Sequence, residues 1–203
     1  IALLIQQAAG RSRFWSFLLQ VNLPVPHLVA AIGLLFLLSQ SGFVSRGTAA
    51  LGLTTTPADF PVLVRDTGGV GIIIAYVWKE VPFIGVIVLG VLQTLNASLV
   101  QAARNLGANG WQRFRYIILP LIAPSLLSSS LIVFAFTFGA YEIPALLGVR
   151  YPRALPVTAL FLFNDADLNS RAEAMALSVL ITLVTALVIG GYLWLRGVAQ
   201  RLG

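Results

Sequence analysis

The chain has no cysteine, one histidine and one lysine among its 203 residues. Without cysteine it cannot form a disulfide, a thiolate metal site or a thiol nucleophile. A single histidine leaves no paired-histidine zinc motif, and the Gly-x-Ser-x-Gly turn of hydrolases is missing from the sequence. We therefore predict that the chain is not an enzyme and has no metal site.

Glycine-rich nucleotide motifs are also missing. A P-loop needs a lysine after its glycines to reach the phosphates, but the single lysine, Lys79, stands in an apolar stretch and is followed by Glu80. Residues 68–71 lack the third spaced glycine of a dinucleotide fingerprint and suit the entry into a helix instead. We expect no cofactor in this chain, so any ATP that drives its function must be bound by a partner subunit.

Charge is scarce as well, at 10% of residues, whereas 58% are apolar and the mean hydropathy is +0.91. Ordinary soluble domains have about 25% charged residues, and a small core could not hide this much apolar surface. The net charge of +6 comes from basic residues scattered through apolar sequence, which does not indicate nucleic-acid binding. The composition indicates an integral membrane protein.

Apolar segments long enough to cross a bilayer, about 20 residues each, occur at residues 17–38, 69–92, 117–142 and 174–195. Residues 1–10 begin apolar and are followed by Arg11 and Arg13, which is typical of the end of a further span. We therefore expect an N-terminally truncated chain. The predicted fold class is all-α: a polytopic transmembrane helix bundle forming one domain over residues 1–203.

Arginine asymmetry predicts the orientation of these spans. If the spans alternate, one side of the membrane has seven arginines and no acid in segments 11–16, 93–116 and 196–203, and the other side has five arginines with five acids. The positive-inside rule then places the loop 93–116 in the cytoplasm. We expect a multi-pass protein of the bacterial cytoplasmic membrane.

The loop 93–116 has features of a protein-docking element. Residues 98–106 are compatible with a short helix, Ala102 and Ala103 give it a small-residue surface, and Gly107 suits a left-handed helix end. Aromatic residues and arginines alternate after it, as in any chain that re-enters a bilayer through the headgroups. Composition alone favours an ordinary interfacial loop.

The spacing in this loop resembles a known signature. Gln-Ala-Ala, three residues, Gly, nine residues and Ile-x-Leu-Pro over residues 101–120 is similar to the cytoplasmic loop of permease subunits of binding-protein-dependent ABC importers, with Gln101 in place of the family's glutamate. Residues 78–83 resemble the span before this loop in the same family, and residues 126–148, with 138–144 among them, resemble its polyamine, iron and thiamine branch. The resemblance implies that residues 98–109 form a coupling helix on a cytoplasmic ATPase. The implied docking residues are Gln101, Ala102, Ala103, Arg104 and Gly107.

The resemblance also implies a function and partners. The function would be inward transport of a small solute by alternating access. The partners would be a cytoplasmic ATP-binding subunit, a second permease subunit, identical or different, and an extracytoplasmic solute-binding protein. The alternative is a secondary transporter or channel without an ATPase, for which we expect paired repeats or broken helices around a midplane ion site. The sequence does not identify the solute.

Charged residues inside the predicted spans are costly and have functional roles by default. Lys79 and Glu80 lie near the middle of the segment 69–92, and Glu142 lies near the outer end of the segment 117–142. We predict that all three belong to the transport pathway. The alternatives are a structural ion pair for Lys79 and Glu80 and a rim carboxylate for Glu142. Near His27, Pro24 and Pro26 predict a kinked helix.

Overall fold

The computed structural model describes residue 17 and residues 20–94 and 97–202. This part of the chain contains helices and no strands, which confirms the predicted all-α class. The helices are α1 (His27–Leu38), α2 (Phe43–Ala50), α3 (Val70–Thr94), α4 (Ala97–Asn105), α5 (Gly110–Arg113), α6 (Leu119–Gly139), α7 (Glu142–Leu147), α8 (Leu155–Phe163) and α9 (Ser170–Leu202). The predicted helix end at residues 1–10 lies outside the described residues.

Within the described residues, four helical stretches are long and apolar enough to span a membrane, so the predicted number of full spans is confirmed. They are His27–Ala50, Val70–Thr94, Gly110–Gly139 and Ser170–Leu195. Many of their large apolar side chains are exposed. Such exposure is unfavourable in water but neutral in lipid, so these faces fit a bilayer.

The first predicted span, residues 17–38, is wrong as one continuous helix, because it is interrupted at residues 21–26. Residues 21–25 form a turn, and α1 begins only at His27, after an extended Pro26. Proline has no backbone N–H, so Pro24 and Pro26 cannot donate two of the hydrogen bonds that would continue a helix here. The predicted kink is therefore a complete break in the helix.

The third predicted span, residues 117–142, begins and ends too late in the sequence. The helical stretch starts at Gly110 and passes through a π-helical turn, Phe114–Ile118, before α6. In this turn the backbone N–H of Leu119 donates to the carbonyl oxygen of Phe114, five residues back. The helix ends at Gly139, and Glu142 opens the separate short helix α7.

Two segments that the sequence predicts as loops contain helices. The segment 39–68 contains α2, and the segment 147–173 contains α8. The nine residues of α8 are nearly all apolar and have a proline in the first turn, where its missing N–H is harmless. At about 1.5 Å per residue such a helix is too short to cross a bilayer, and it packs against α9.

Packing groups the chain into two compact units. One comprises residues up to 25 together with residues 79–133, and the other comprises residues 26–78 and 134–203. The first has a buried core of Val88, Leu92 and Ile122, which joins α3 to α6. The helices α3 and α6 each contribute residues to both units. Because the chain groups into two units, the single transmembrane domain stays a prediction.

The second unit is built around the start of α3. Its buried core consists of Ala31, Ala75, Ile143 and Leu147, from α1, α3 and α7. The Asp66 carboxylate accepts hydrogen bonds from the backbone N–H groups of Val70, at 2.9 Å, and Gly71, at 3.5 Å. The bond from Val70 contributes most to lowering the pKa of Asp66 below its ordinary value of 3.8. This confirms the predicted helix entry at residues 68–71.

Candidate functional site

The loop after α3 contains the predicted short helix. α4 occupies Ala97–Asn105, within one residue of the predicted bounds at each end. Leu99 is 53% exposed, Leu106 just beyond the helix is 88% exposed, and Ala102 between them is also exposed. Positions three and four residues apart share one side of a helix. The described chain therefore leaves one apolar side of α4 uncovered.

Gly107 ends α4 as the sequence predicts, in the left-handed conformation with φ +82°. The backbone N–H of Gly107 donates to the carbonyl of Arg104, and that of Ala108 donates to the carbonyl of Ala103, both at 3.0 Å. This pair of bonds is a Schellman motif, which satisfies the last carbonyls of a helix. A Cβ built on Gly107 would meet nothing within 4 Å, so a side chain there costs backbone strain without an internal clash.

A capping box starts the next helix two residues later. The backbone N–H of Gln112 donates to the side-chain oxygen of Asn109, and the N–H of Asn109 donates to the side-chain oxygen of Gln112, both at 2.8 Å. The Asn-x-x-Gln spacing is a recognised pattern of this capping box, but the box was not predicted from the sequence. Hydrogen bonds therefore fix the backbone at both ends of the short connection from α4 to α5.

The five residues predicted to dock on an ATPase lie together on α4 and at its end. Ala103 is half-buried and the other four, Gln101, Ala102, Arg104 and Gly107, are exposed. A groove of about 400 Å³ adjoins them. Its lining residues are Leu106, Gly107, Ala108, Gln112, Arg113, Tyr116 and Ile117. A helix with a free apolar side and an adjacent groove can dock a protein surface.

Lys79 lies in the first unit and is buried, with 5% of its surface exposed. Its ammonium donates hydrogen bonds to the backbone carbonyl oxygens of Asn22, at 2.8 Å, and Leu23, at 3.2 Å. Glu80, the next residue of α3, is half-buried. The Lys79 ammonium thus donates to main-chain carbonyls, which were not predicted from the sequence.

Glu142 belongs to the second unit, where it is half-buried at the first position of α7. Its predicted position at the outer end of a span is wrong, because the spanning helix already ends at Gly139. Two residues of α7, Ile143 and Leu147, are in the buried core of this unit. Glu142 therefore stands at the start of a short helix that is packed through Ile143 and Leu147.

The second unit also contains a largely apolar cavity of about 710 Å³ beside α8 and α9. Its lining includes Ala159 and Phe163 of α8 and Met175 and Ser178 of α9. Among the described residues, no cluster of three or more histidine, aspartate or glutamate side chains could hold a metal ion.

Comparison with known proteins gives one family match over almost the whole chain. Residues 9–202 match the model described as "Binding-protein-dependent transport system inner membrane component".

Individual relatives agree with this match. The chain is 31% identical over 140 residues to the inner membrane ABC transporter permease protein YdcU of Escherichia coli K12, covering 65% of this chain and 45% of that protein. It is 28% identical over 196 residues to the putative ferric transport system permease protein FbpB 1 of Haemophilus influenzae, covering 96% of this chain and 30% of that protein. The chain therefore spans less than half of either relative.

A solved structure shows the same fold. The crystal structure of a bacterial alginate ABC transporter, in complex with an alginate pentasaccharide-bound periplasmic protein, contains a chain that matches with a TM-score of 0.77 at 18% identity. The match covers 99% of this chain and 70% of the other chain. At this identity the likeness is one of fold.

Proposed function

Because this chain belongs to the family of inner membrane components of binding-protein-dependent transport systems, we propose that it is the membrane-spanning permease subunit of an ABC importer. It moves a small solute inward by alternating access. The chain has no P-loop, so the ATP hydrolysis is assigned to another subunit, and this chain is proposed to be a non-enzymatic component without a cofactor of its own. A separate cytoplasmic subunit binds and hydrolyses the ATP.

The geometry of α4 carries this proposal. An ATPase can drive a membrane subunit only through a cytoplasmic contact that transmits movement. The exposed apolar side of α4 offers such a contact, and Gly107 and Asn109 connect it to the next spanning helix through hydrogen-bonded backbone. A push on α4 is therefore passed to the helix that starts at Gly110 instead of being absorbed by a flexible loop.

The proposed assembly has two further protein components. A solute-binding protein delivers the solute from outside, in keeping with the family description. A second permease subunit, identical or different, completes the pathway, and the whole complex lies in the bacterial inner membrane. Glu80 and Glu142 are proposed to line the pathway. Glu80 lies within a spanning helix, where acidic groups belong to protein interiors or wet cavities, and Glu142 is half-buried at the start of α7.

Co-purification tests the ATPase partner. A tagged version of the protein, extracted from its native membrane in a mild detergent, should bring down a soluble subunit that contains a P-loop. A secondary transporter or channel would come down without one. If no nucleotide-binding subunit is recovered, even after chemical cross-linking in the membrane, the importer proposal fails and the secondary-transporter alternative takes its place.

Thiol labelling tests the orientation that this proposal requires. The chain has no cysteine, and Leu106 and Leu168 are both well exposed, at 88% and 65%, so Leu106→Cys and Leu168→Cys form a matched pair. In intact cells, an impermeant maleimide should label Leu168→Cys and spare Leu106→Cys. Both should react in detergent, which is the control. The reverse pattern in cells would invert the topology and remove α4 from the cytoplasm.

A further inference from the structure

The helix break at residues 21–26 leaves main-chain oxygens without their regular helical donors. In a continuous helix, the carbonyl of Asn22 would accept from the N–H of residue 26, which is a proline and has none. The carbonyl of Leu23 would accept from the N–H of His27, but the backbone of Pro26 between them is extended, with ψ 145°. The carbonyl of Asn22 accepts a turn bond from the N–H of Val25 at 3.3 Å, and a carbonyl oxygen can accept more than one hydrogen bond.

Lys79 supplies the replacement. Its ammonium contacts these two oxygens at 2.8 and 3.2 Å and is buried. At membrane depth, a carbonyl that has lost its helical donor and an isolated ammonium are each costly. The contact with Lys79 reduces both costs here, because the carbonyl oxygens at the C-terminal end of a helical turn carry partial negative charge.

We propose that the carbonyl oxygens of Asn22 and Leu23 form a cation cradle, which the Lys79 ammonium fills as a tethered ligand and thereby holds the helix break in place. Lys79 is then a positioning residue, and this inference is independent of the proposed transport function. The sequence left two roles open for Lys79, in the transport pathway or in a structural ion pair. This inference favours the structural role, with backbone carbonyls as partners instead of a carboxylate.

A tethered cation that fills a cradle can be replaced by a free one. Truncating Lys79 to alanine removes three carbons and the ammonium, which together correspond to propylammonium. A propylammonium ion should therefore enter the vacated space and bind the same two oxygens. Tetramethylammonium has the same charge but no N–H to donate, so it should not. Lys79→Met removes the charge while still filling much of the space.

The experiment measures how open the break is. Val25 lies within the break and is half-buried, so Val25→Cys is a single reporter in a chain without cysteine. Its labelling rate with N-ethylmaleimide is measured in native membranes. In Lys79→Ala and Lys79→Met, labelling should be faster on the order of tenfold, as expected when hydrogen bonds to a charged group are lost.

Propylammonium should then slow labelling in Lys79→Ala towards the rate of the Val25→Cys parent, and tetramethylammonium should not. Glu80→Ala is the matched truncation at the next residue, and propylammonium should leave its labelling unchanged. The proposal is overturned if both Lys79 variants label at the parent rate. It is equally overturned if propylammonium has no effect on Lys79→Ala, or no more effect than tetramethylammonium.

If the neutral variants do not accumulate in the membrane, accumulation becomes the readout. Propylammonium in the growth medium should then raise the level of Lys79→Ala but not of Lys79→Met. An unchanged level of Lys79→Ala would overturn the cradle just as a negative labelling result would.

Discussion

A tryptophan in place of Gly107 is expected to leave the protein in the membrane at its normal amount and to abolish its association with the ATPase subunit. Gly107 has φ +82°, so any side chain strains the backbone there by about 1–2 kcal/mol. Its Cβ would meet no atom of the chain within 4 Å. The bulk of the tryptophan would project outwards, beside the exposed side of α4, and hold a docked partner away.

Gly52 provides the matched control. It also has a left-handed backbone, with φ +71°, and a Cβ there would likewise meet nothing within 4 Å. It lies on the opposite side of the membrane if the spans alternate. Gly52→Trp should therefore carry the same strain and keep the ATPase.

The comparison is made by immunoblotting of membranes and by ATP hydrolysis of the purified complexes. If Gly107→Trp retains a bound ATPase that still drives solute uptake, α4 is not the docking element, and the loop returns to an ordinary interfacial role.

The second large effect is expected at the two acidic residues proposed for the pathway. Glu80→Gln and Glu142→Gln keep the size of the side chain and remove its charge. If the carboxylates line the pathway, each variant should assemble normally, while uptake falls on the order of tenfold, the effect of about 1.4 kcal/mol lost at one transport step. Uptake is measured for the solute carried by the cognate binding protein, in vesicles with a matched amount of complex.

Glu173 is the control for this pair, because it is an exposed acid in the first turn of α9. Glu173→Gln should transport at the normal rate. Poor accumulation of Glu80→Gln or Glu142→Gln would assign that residue a structural role instead. Normal uptake by both variants would remove them from the pathway.

Local signals account for the parts of the structure that the sequence predicted correctly. Four apolar stretches near twenty residues mark the spans, because lipid demands that length of any crossing helix. Gly107 marks the end of α4, because few residues other than glycine tolerate its backbone conformation. The capping box at Asn109 also depends only on neighbouring residues, and its Asn-x-x-Gln pattern could have been recognised in the sequence.

The parts that were missed depend on contacts between distant segments. Pro24 and Pro26 predicted that the helix of the first span is kinked. Whether the helix kinks or breaks completely depends on whether the backbone carbonyls near the prolines find hydrogen-bond donors elsewhere. The donor is Lys79, more than fifty residues later in the chain. The helix α8 is as apolar as a spanning helix but too short to cross a bilayer. It packs against α9, a contact that the local sequence does not reveal.

The π-helical turn at Phe114–Ile118 affects the direction in which the docking loop points. Such a turn holds one residue more than an α-helical turn, and each α-helical residue advances the chain by about 100° around the axis. The turn therefore offsets the rotational phase of α5 from that of α6 by roughly this angle. Gain or loss of this one residue during evolution would therefore rotate the docking loop around the helix axis while leaving the orientation of α6 unchanged.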